Sequence, residues 1–527
     1  EAPPMGGVII SSRHGMILIR KSELNLPALI PHLKDIPSRL GDFYAVPHKV
    51  EETKLLRNLG YGVPSPILYQ YDWAGRTDVY DTQRDTAELM VDNTRAYILN
   101  DMGTGKTRAS LFACDYLLKT DQIDKVLVLA PLSTLTHTWE REIFMCFPHR
   151  TAISLHSPSK KGRLKALAED RDFYVMNHDG VKVMPNELQQ ALKSWGRVAL
   201  IIDELAVLRN ARTVRWKAVN KLVSLCTYVW GMTGSPVPKE PTDAYGQVKL
   251  LTPDRVPKFF KRFKEATMLQ VTPFKWIPKR EALDIVYTAM RPSVRYVRDD
   301  CFDLPPVVHS TREVELSKRQ AEAYKKMWDY FVAEDEQGLI TAVNSAVRVG
   351  KLMQITGGYV RSDTGDTIDL EPTPKLEELK EIITESKGKV LVFCSHKRTV
   401  DHVYKYTQTF TTAAKVYGDT SKNKRDQIFT EFQFESSLNV IVAHPQTMAH
   451  GLTLTSANTI VWYQPEMSLE IFEQANARIT RAGQTRPQNV IKLVASKIEL
   501  GVYTRLQQRS TAQGILLDML HGENLTD

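Results

Sequence analysis

The sequence predicts an α/β fold of two parallel-sheet lobes, joined by a helical insertion and preceded by a small α+β domain. Three observations carry this. Short β-branched runs at Val126–Leu129, Val198–Ile202, Lys389–Phe393 and Asn439–Val442 end in polar or loop-forming residues and are flanked by helical patterns. Strands buried on both faces of a parallel sheet read this way. The runs fall into two sets, one between residues 80 and 240 and one between 375 and 510, and each set suffices for one lobe. Between them, Pro241, Pro253, Pro257, Pro273, Pro278 and Pro292 punctuate a stretch that ends in the helix-like run Lys318–Glu334.

Size and composition agree. A length of 527 residues bounds the count at about three or four domains. Hydrophobic residues at 43% and charged residues at 25% exclude a disordered or collagenous chain. The net charge of +8 permits nucleic acid as a partner without establishing it. Cys114, Cys146, Cys226, Cys301 and Cys394 stand singly with no C-x-x-C pair, so they read as core residues in a reducing compartment. No apolar run approaches the ~18 residues of a membrane helix, and EAPPMGGVII lacks the basic start of a secretory signal. An intracellular protein, cytoplasmic or nucleoid-associated, is expected, with the host cytoplasm as the setting for a viral chain.

In chain order, residues 1–79 form an N-terminal accessory domain with a candidate DNA-binding role. Its runs Val8–Ser11 and Met16–Arg20 flank Ser12-Arg13-His14-Gly15, which suits a hairpin. Residues 80–245 form the first lobe, 246–370 the helical insertion and linker, and 371–527 the second lobe.

The strongest local signal is Asn100-Asp101-Met102-Gly103-Thr104-Gly105-Lys106-Thr107, between Tyr97-Ile98-Leu99 and the helical Arg108–Leu118. Strand, Gly-rich turn and helix start in that order make a phosphate cradle of backbone N–H groups. Lys106 would reach the β- and γ-phosphates of ATP, and the Thr107 hydroxyl would bind Mg²⁺. Met102, Gly103, Thr104 and Gly105 complete the loop. Asn100 stands where the usual pattern has Gly or Ala.

A cradle alone fits a kinase, a GTPase or a motor. Asp203-Glu204 follows the strand Val198–Ile202, at the strand end where ligands of α/β sheets bind. Asp203 would hold Mg²⁺ through water and Glu204 would deprotonate the attacking water, which marks hydrolysis. Taken alone, the pair also suits a helix cap.

The whole set resembles a superfamily 2 helicase-like ATPase of the Swi/Snf type, in order over residues 79–510. Gln83 lies where that family's adenine-reading glutamine lies, with Thr82 in place of the usual aromatic. Ala130-Pro131-Leu132-Ser133 with Thr134 and Trp139-Glu140-Arg141-Glu142 resembles its first DNA-contacting motif. Asp203-Glu204-Leu205-Ala206 is similar to its DEAH-like motif, with Ala206 replacing the His, and Thr233-Gly234-Ser235-Pro236 resembles its coupling motif. Arg295-Tyr296-Val297-Arg298 leading to Asp303-Leu304-Pro305-Pro306 is similar to the join between its protrusion and second lobe.

In the second lobe, Gly451-Leu452-Thr453-Leu454-Thr455 resembles motif V, and Gln474 to Gln484 resembles motif VI, with Arg478 and Arg481 as the γ-phosphate arginines and Gln474 beside them. The resemblance implies two RecA-like lobes and a DNA-stimulated ATPase that translocates on duplex DNA, with Ser133, Thr134, Thr233, Ser235, Gly451, Leu452 and Thr453 in coupling and DNA contact. The form GLTLT is closer to a fork-remodelling or annealing-helicase branch. That implies work in DNA repair, recombination or branch migration, on duplex, forked or branched DNA.

Basic residues cluster in Lys258–Lys264 and at Lys275, Lys279 and Arg280, interleaved with Phe259, Phe260, Phe263, Phe274 and Trp276. They read either as phosphate contacts or as a helix with Phe inward and Lys outward. Two other functions stay open. One is a strand-separating helicase, and the other is an ATP-gated DNA-binding switch with poor turnover, which Ala206 motivates.

Overall fold

The four apolar runs are all sheet strands. The computed structural model describes residues 8–20, 34–38, 41–73, 79–273, 275–297, 305–336, 342–361, 367–448, 454–480 and 484–508. Two units are distinct, one built from residues 1–236 and 241–301 and the other mainly from 302–515.

The first unit opens on the strands β1 (Val8–Ser11), β2 (Met16–Arg20), β3 (Lys34–Ser38) and β4 (Gly41–Pro47), which form a sheet in the order β1-β2-β4-β3. β1 and β2 pair antiparallel around Ser12–Gly15, as the turn chemistry predicts. Val8, Ile17, Ile19, Val46 and Leu56 are its small core. The helix Val50–Asn58 ties this domain to the helix Asp81–Asp92, with Arg57 Nη1 2.6 Å from Asp92 Oδ2.

The main sheet of this unit uses β5 (Arg95–Ile98), β6 (Lys125–Ala130), β7 (Ala152–Ser154), β8 (Phe173–Asn177), β9 (Val198–Asp203) and β10 (Tyr228–Met232). A hairpin of β11 (Met268–Gln270) and β12 (Trp276–Pro278) stands apart, and β13 (Ser293–Val294) returns to the sheet edge. All pairings of the seven strands are parallel, in the order β13-β5-β10-β9-β6-β8-β7. β6 and β9 are buried along nearly their whole length, which is why Val126–Ala130 and Val198–Ile202 are apolar throughout.

The second unit holds β14 (Val307–Glu313), a hairpin of β15 (Tyr359–Arg361) and β16 (Thr367–Asp369), then β17 (Lys389–Phe393), β18 (Ala413–Val416), β19 (Val440–Ala443), β20 (Ala457–Trp462) and β21 (Gln488–Val494). Its six-stranded sheet is parallel throughout, ordered β14-β21-β20-β17-β19-β18, with a hydrophobic core on each face.

The stretch 246–370, read from sequence as one helical insertion, is divided between the units near residue 301. It contributes β13 to one sheet and β14 to the other. β13 has only two residues, and β14 is a mostly exposed edge strand, Val-Val-His-Ser-Thr-Arg-Glu, so neither leaves an apolar run. Cys114, Cys226 and Cys394 are buried, Cys146 is partly so, and Cys301 lies outside the described residues. Among the described residues, no helix is long and apolar enough to cross a membrane.

Candidate active site

β5 runs into the Gly-rich loop, and the helix Lys106–Lys119 leaves it. The turn depends on Gly103 and Gly105, at φ of 89° and 83°, where a Cβ is strained. At Gly105 the space is closed as well, since an added Cβ would lie 2.1 Å from Gln83 Nε2. The buried Gln83 thus rests its amide directly on the loop. Its Oε1 accepts from the Tyr80 N–H at 3.2 Å, which fixes it at the start of the helix Asp81–Asp92.

Within the loop, Thr104 Oγ1 donates to the Asp101 carbonyl at 2.8 Å. Lys106 Nζ donates to the carbonyls of Asn100 and Asp101 at 2.8 and 2.9 Å. Burial lowers the Lys106 pKa, while the carboxylates of Glu204, Asp203 and Asp101 act to raise it. Thr107 is the second residue of the helix.

Asp203 ends β9, two strands from β5 with β10 between. Trp139, fully buried in the helical segment Leu135–Glu140 that follows β6, donates from Nε1 to Asp203 Oδ2 at 3.1 Å. His178 Nε2 donates to the Asp203 carbonyl at 2.7 Å. Burial pushes the Asp203 carboxyl above its ordinary range, opposed by the Trp139 hydrogen bond and the Lys106 charge.

Glu204 sits at φ 56°, ψ 55°, a left-handed conformation that costs a non-Gly residue on the order of 1–2 kcal/mol. Its Oε1 accepts from Thr233 Oγ1 at 3.0 Å, and the same hydroxyl accepts from the Ser235 N–H at 3.2 Å. Gly234 lies against the loop, since a Cβ there would meet Met102 Cγ at 3.4 Å and the Asn100 carbonyl at 3.6 Å. Gln83, Met102–Thr107, Asp203, Glu204, Thr233 and Ser235 therefore form one cluster across β5, β10 and β9.

Three supports of that cluster carry other roles in the sequence pattern. The buried Arg295 donates from Nη1 to the Leu99 carbonyl and from Nη2 to Asp101 Oδ1, both at 2.5 Å. The Tyr296 N–H donates to Asn100 Oδ1 at 3.1 Å, and Asn100 Nδ2 donates to Thr86 Oγ1 at 2.9 Å. Tyr296 Oη reaches Asp85 Oδ2 at 2.8 Å. Asn100, the departure from the usual loop pattern, thus joins the loop to the helix of Gln83. The third is Trp139. Arg295 and Tyr296 read from sequence only as part of a linker, and Trp139 as part of a DNA-contacting motif. No local signal reveals partners as distant in sequence as the 194 residues between Arg295 and Asp101.

The other site residues fall elsewhere. Thr134 is buried on the turn Leu132–Thr134 after β6, its Oγ1 donating to the Pro131 carbonyl at 2.9 Å. Ser133 shares that turn, although its side chain lies outside what is described. In the second unit the buried Gln474 lies on the helix Leu469–Asn476. Arg478 Nε donates to its carbonyl at 2.9 Å. Arg481, Gly451, Leu452 and Thr453 lie outside the described residues, as do Phe274, Arg298, Asp303 and Leu304. Ala206 is buried in the turn Leu205–Leu208.

The family profile of the SNF2-related domain matches residues 82–363, and that of the helicase conserved C-terminal domain matches 374–483. Protein p41 of Acyrthosiphon pisum secondary endosymbiont phage 1 is 25% identical over 456 residues, 82% of this chain and 96% of that protein. The SWI/SNF-related matrix-associated actin-dependent regulator of chromatin subfamily A-like protein 1 of Xenopus tropicalis is 23% identical over 450 residues, 82% of this chain. The chain spans only 44% of the frog protein's length. The SWI2/SNF2 ATPase core of Sulfolobus solfataricus in complex with dsDNA has 22% identity and a TM-score of 0.40, covering 84% of this chain and 94% of that one.

Proposed function

The chain belongs to the SNF2-related family of helicase-like ATPases, and from that premise we propose an ATP-driven translocase on double-stranded DNA that remodels forks, branched junctions or protein–DNA complexes. In kind it is a DNA-stimulated ATPase. The observation that best supports coupled hydrolysis is the Thr233 hydroxyl, which bridges Glu204 and the Ser235 N–H. A group that must take a proton from water is thereby tied to the next strand end.

The donor set fits ATP with Mg²⁺. A threonine hydroxyl and a carboxylate are hard oxygen ligands, Gly103 and Gly105 leave the loop backbone open to phosphate, and Lys106 is charge-matched to it. Bound ATP supplies the phosphoanhydride and Mg²⁺ the countercharge. Gln83 reads the base, Lys106 pairs with the phosphates, Thr107 and Asp203 hold the cation, and Glu204 orients and deprotonates water. Gln474, Arg478 and Arg481 supply the second lobe's polar and guanidinium groups. Ser133, Thr134, Gly451, Leu452 and Thr453 contact DNA, and Ser235 relays with Thr233. Such an enzyme works in the cytoplasm or on the nucleoid, or in the host cytoplasm for a viral chain.

The test is an ATPase assay with no nucleic acid, single strands, duplex, forked or four-way DNA, and RNA, with Lys106→Ala as the blank. Stimulation greatest with duplex or branched DNA is expected. Stimulation by RNA alone, or by nothing, refutes the reading. Ala206, buried where the family has His, favours one second reading, an ATP-gated switch. Negligible turnover with ATP-dependent DNA retention would support it.

A further inference from the structure

We propose that the segment Lys258–Arg280 is an arm that grips the DNA duplex through its phosphate backbone; this rests on DNA being the partner. Charge singles it out. Residues 258–280 carry seven basic side chains and one acidic, a net of +6, against +8 for the entire chain. The remaining residues sum to +2, so this segment supplies most of the net positive charge available to attract a polyanion.

The fold turns that segment into a presented surface. The helix Phe260–Thr267 buries Phe263 and Thr267. The rings of Phe260 and Phe263 pack 5.3 and 5.4 Å from Tyr245. The helix then enters the antiparallel β11–β12 hairpin, whose base is closed by the Lys279 N–H donating to the Thr267 carbonyl at 2.9 Å. Lys258, Lys261, Arg262, Lys275 and Arg280 are exposed on this frame, and Lys279 is partly so. Glu265, the single acid, lies 3.8 Å from Lys261. Leu269, Val271 and Ile277 are exposed as well, so the hairpin is not covered by the rest of its own unit.

The aromatics decide the mode of contact. Lys264 Nζ stands 4.2 Å from the centroid of the Trp276 ring, and Lys258 Nζ 5.8 Å from that of Phe259. A cation over a ring face occupies the position a stacked base would take. Trp276, half-buried and covered by Lys264, is thereby withdrawn from stacking, and the exposed cations offer phosphate pairing, which is independent of sequence and steeply salt-dependent.

The test compares the wild type with Lys261→Gln/Arg262→Gln/Lys275→Gln, three exposed positions, by anisotropy titration of a duplex and of a single strand. Salt is varied over about 50–200 mM, and circular dichroism melting verifies the fold. The slope of log K against log salt on the duplex should fall by roughly 2–3, at ~0.9 per lost phosphate contact. The control Lys161→Gln/Lys165→Gln/Lys193→Gln, exposed on helices that precede β8 and β9, should retain the wild-type slope. An unchanged slope in the first variant, or an equal fall in the control, overturns the arm alone. A larger loss on single strands than on duplex overturns the backbone mode. A wild type that binds no DNA sinks the translocase reading and the arm with it.

Discussion

Replacing Arg295 with Met should weaken nucleotide binding although residue 295 is placed to touch the loop and not the ligand. The Arg295 side chain is 5% exposed and its fork serves two acceptors on the loop, the Leu99 carbonyl and Asp101 Oδ1. Met keeps the apolar stem and removes the donors. A buried carbonyl left without a partner costs about 1–3 kcal/mol. Asp101 is 26% exposed, so water recovers part of its loss, and its share is about 1 kcal/mol rather than the 3–5 of a fully buried pair. The total is roughly 2–4 kcal/mol. Part of it falls on the loop itself, because Lys106 Nζ is bonded to the carbonyls of Asn100 and Asp101 within the same turn. Each ~1.4 kcal/mol of lost loop order is tenfold in affinity. Titration of a fluorescent ATP analogue should therefore show a Kd raised about ten- to a hundredfold, with the helix content preserved. Arg295→Lys, which keeps the charge but has no fork, should fall between. An Arg295→Met protein that is folded and binds nucleotide within about twofold of wild type refutes the reasoning.

Trp139→Phe fills the same core position without the indole N–H. Burial already raises the Asp203 carboxyl and that N–H opposes the rise, so its loss pushes the pKa higher. The acid limb of the ATPase pH profile should then move to higher pH, and an unmoved limb counts against the role of Asp203. Thr233→Val strips the hydroxyl between Glu204 and Ser235. A hydrogen bond to a charged group is worth about 1.5–3 kcal/mol, so kcat should drop about ten- to a hundredfold with ATP affinity little changed. Thr233→Ser should rescue it, and a Val variant with wild-type kcat breaks the assignment. Asp115 is fully buried beneath Tyr71 Oη at 2.6 Å, Arg150 Nε at 2.8 Å and His149 Nε2 at 2.9 Å. Burial works to raise its pKa, but these bonds hold it at about 2 against an ordinary 3.8. The folded value is the lower one, so the stabilisation, about 2 kcal/mol, is complete above pH ~4 and disappears as pH falls through about 2. Thermal unfolding against pH should show that step, and Asp115→Asn should lack it.

The parts of this protein legible in its sequence share a physical cause. A strand covered on both faces must be apolar where it is buried, so β6, β9, β17 and β19 announce themselves. The edge strand β14 faces solvent along most of its length and carries no such mark. The phosphate loop and Asp203-Glu204 are legible because their chemistry is compressed into a few residues directly after a strand. The contacts that hold these groups join residues far apart: 64 positions separate Trp139 from Asp203 and 196 separate Arg295 from Leu99.

Sheet order explains why such contacts arise at all. With β5, β10, β9 and β6 adjacent and parallel, their C-terminal ends line one edge in sequence. Each strand end then touches the next: Gly234 rests on Met102, Thr233 bonds Glu204, and Trp139 bonds Asp203. A chain of contacts already links the phosphate loop to the helical segment Leu135–Glu140, which directly follows the turn that carries Thr134. Ala206, buried in its turn, removes a side chain from the DEAH-like position without breaking that chain, because the partner of Glu204 comes from the strand beside it.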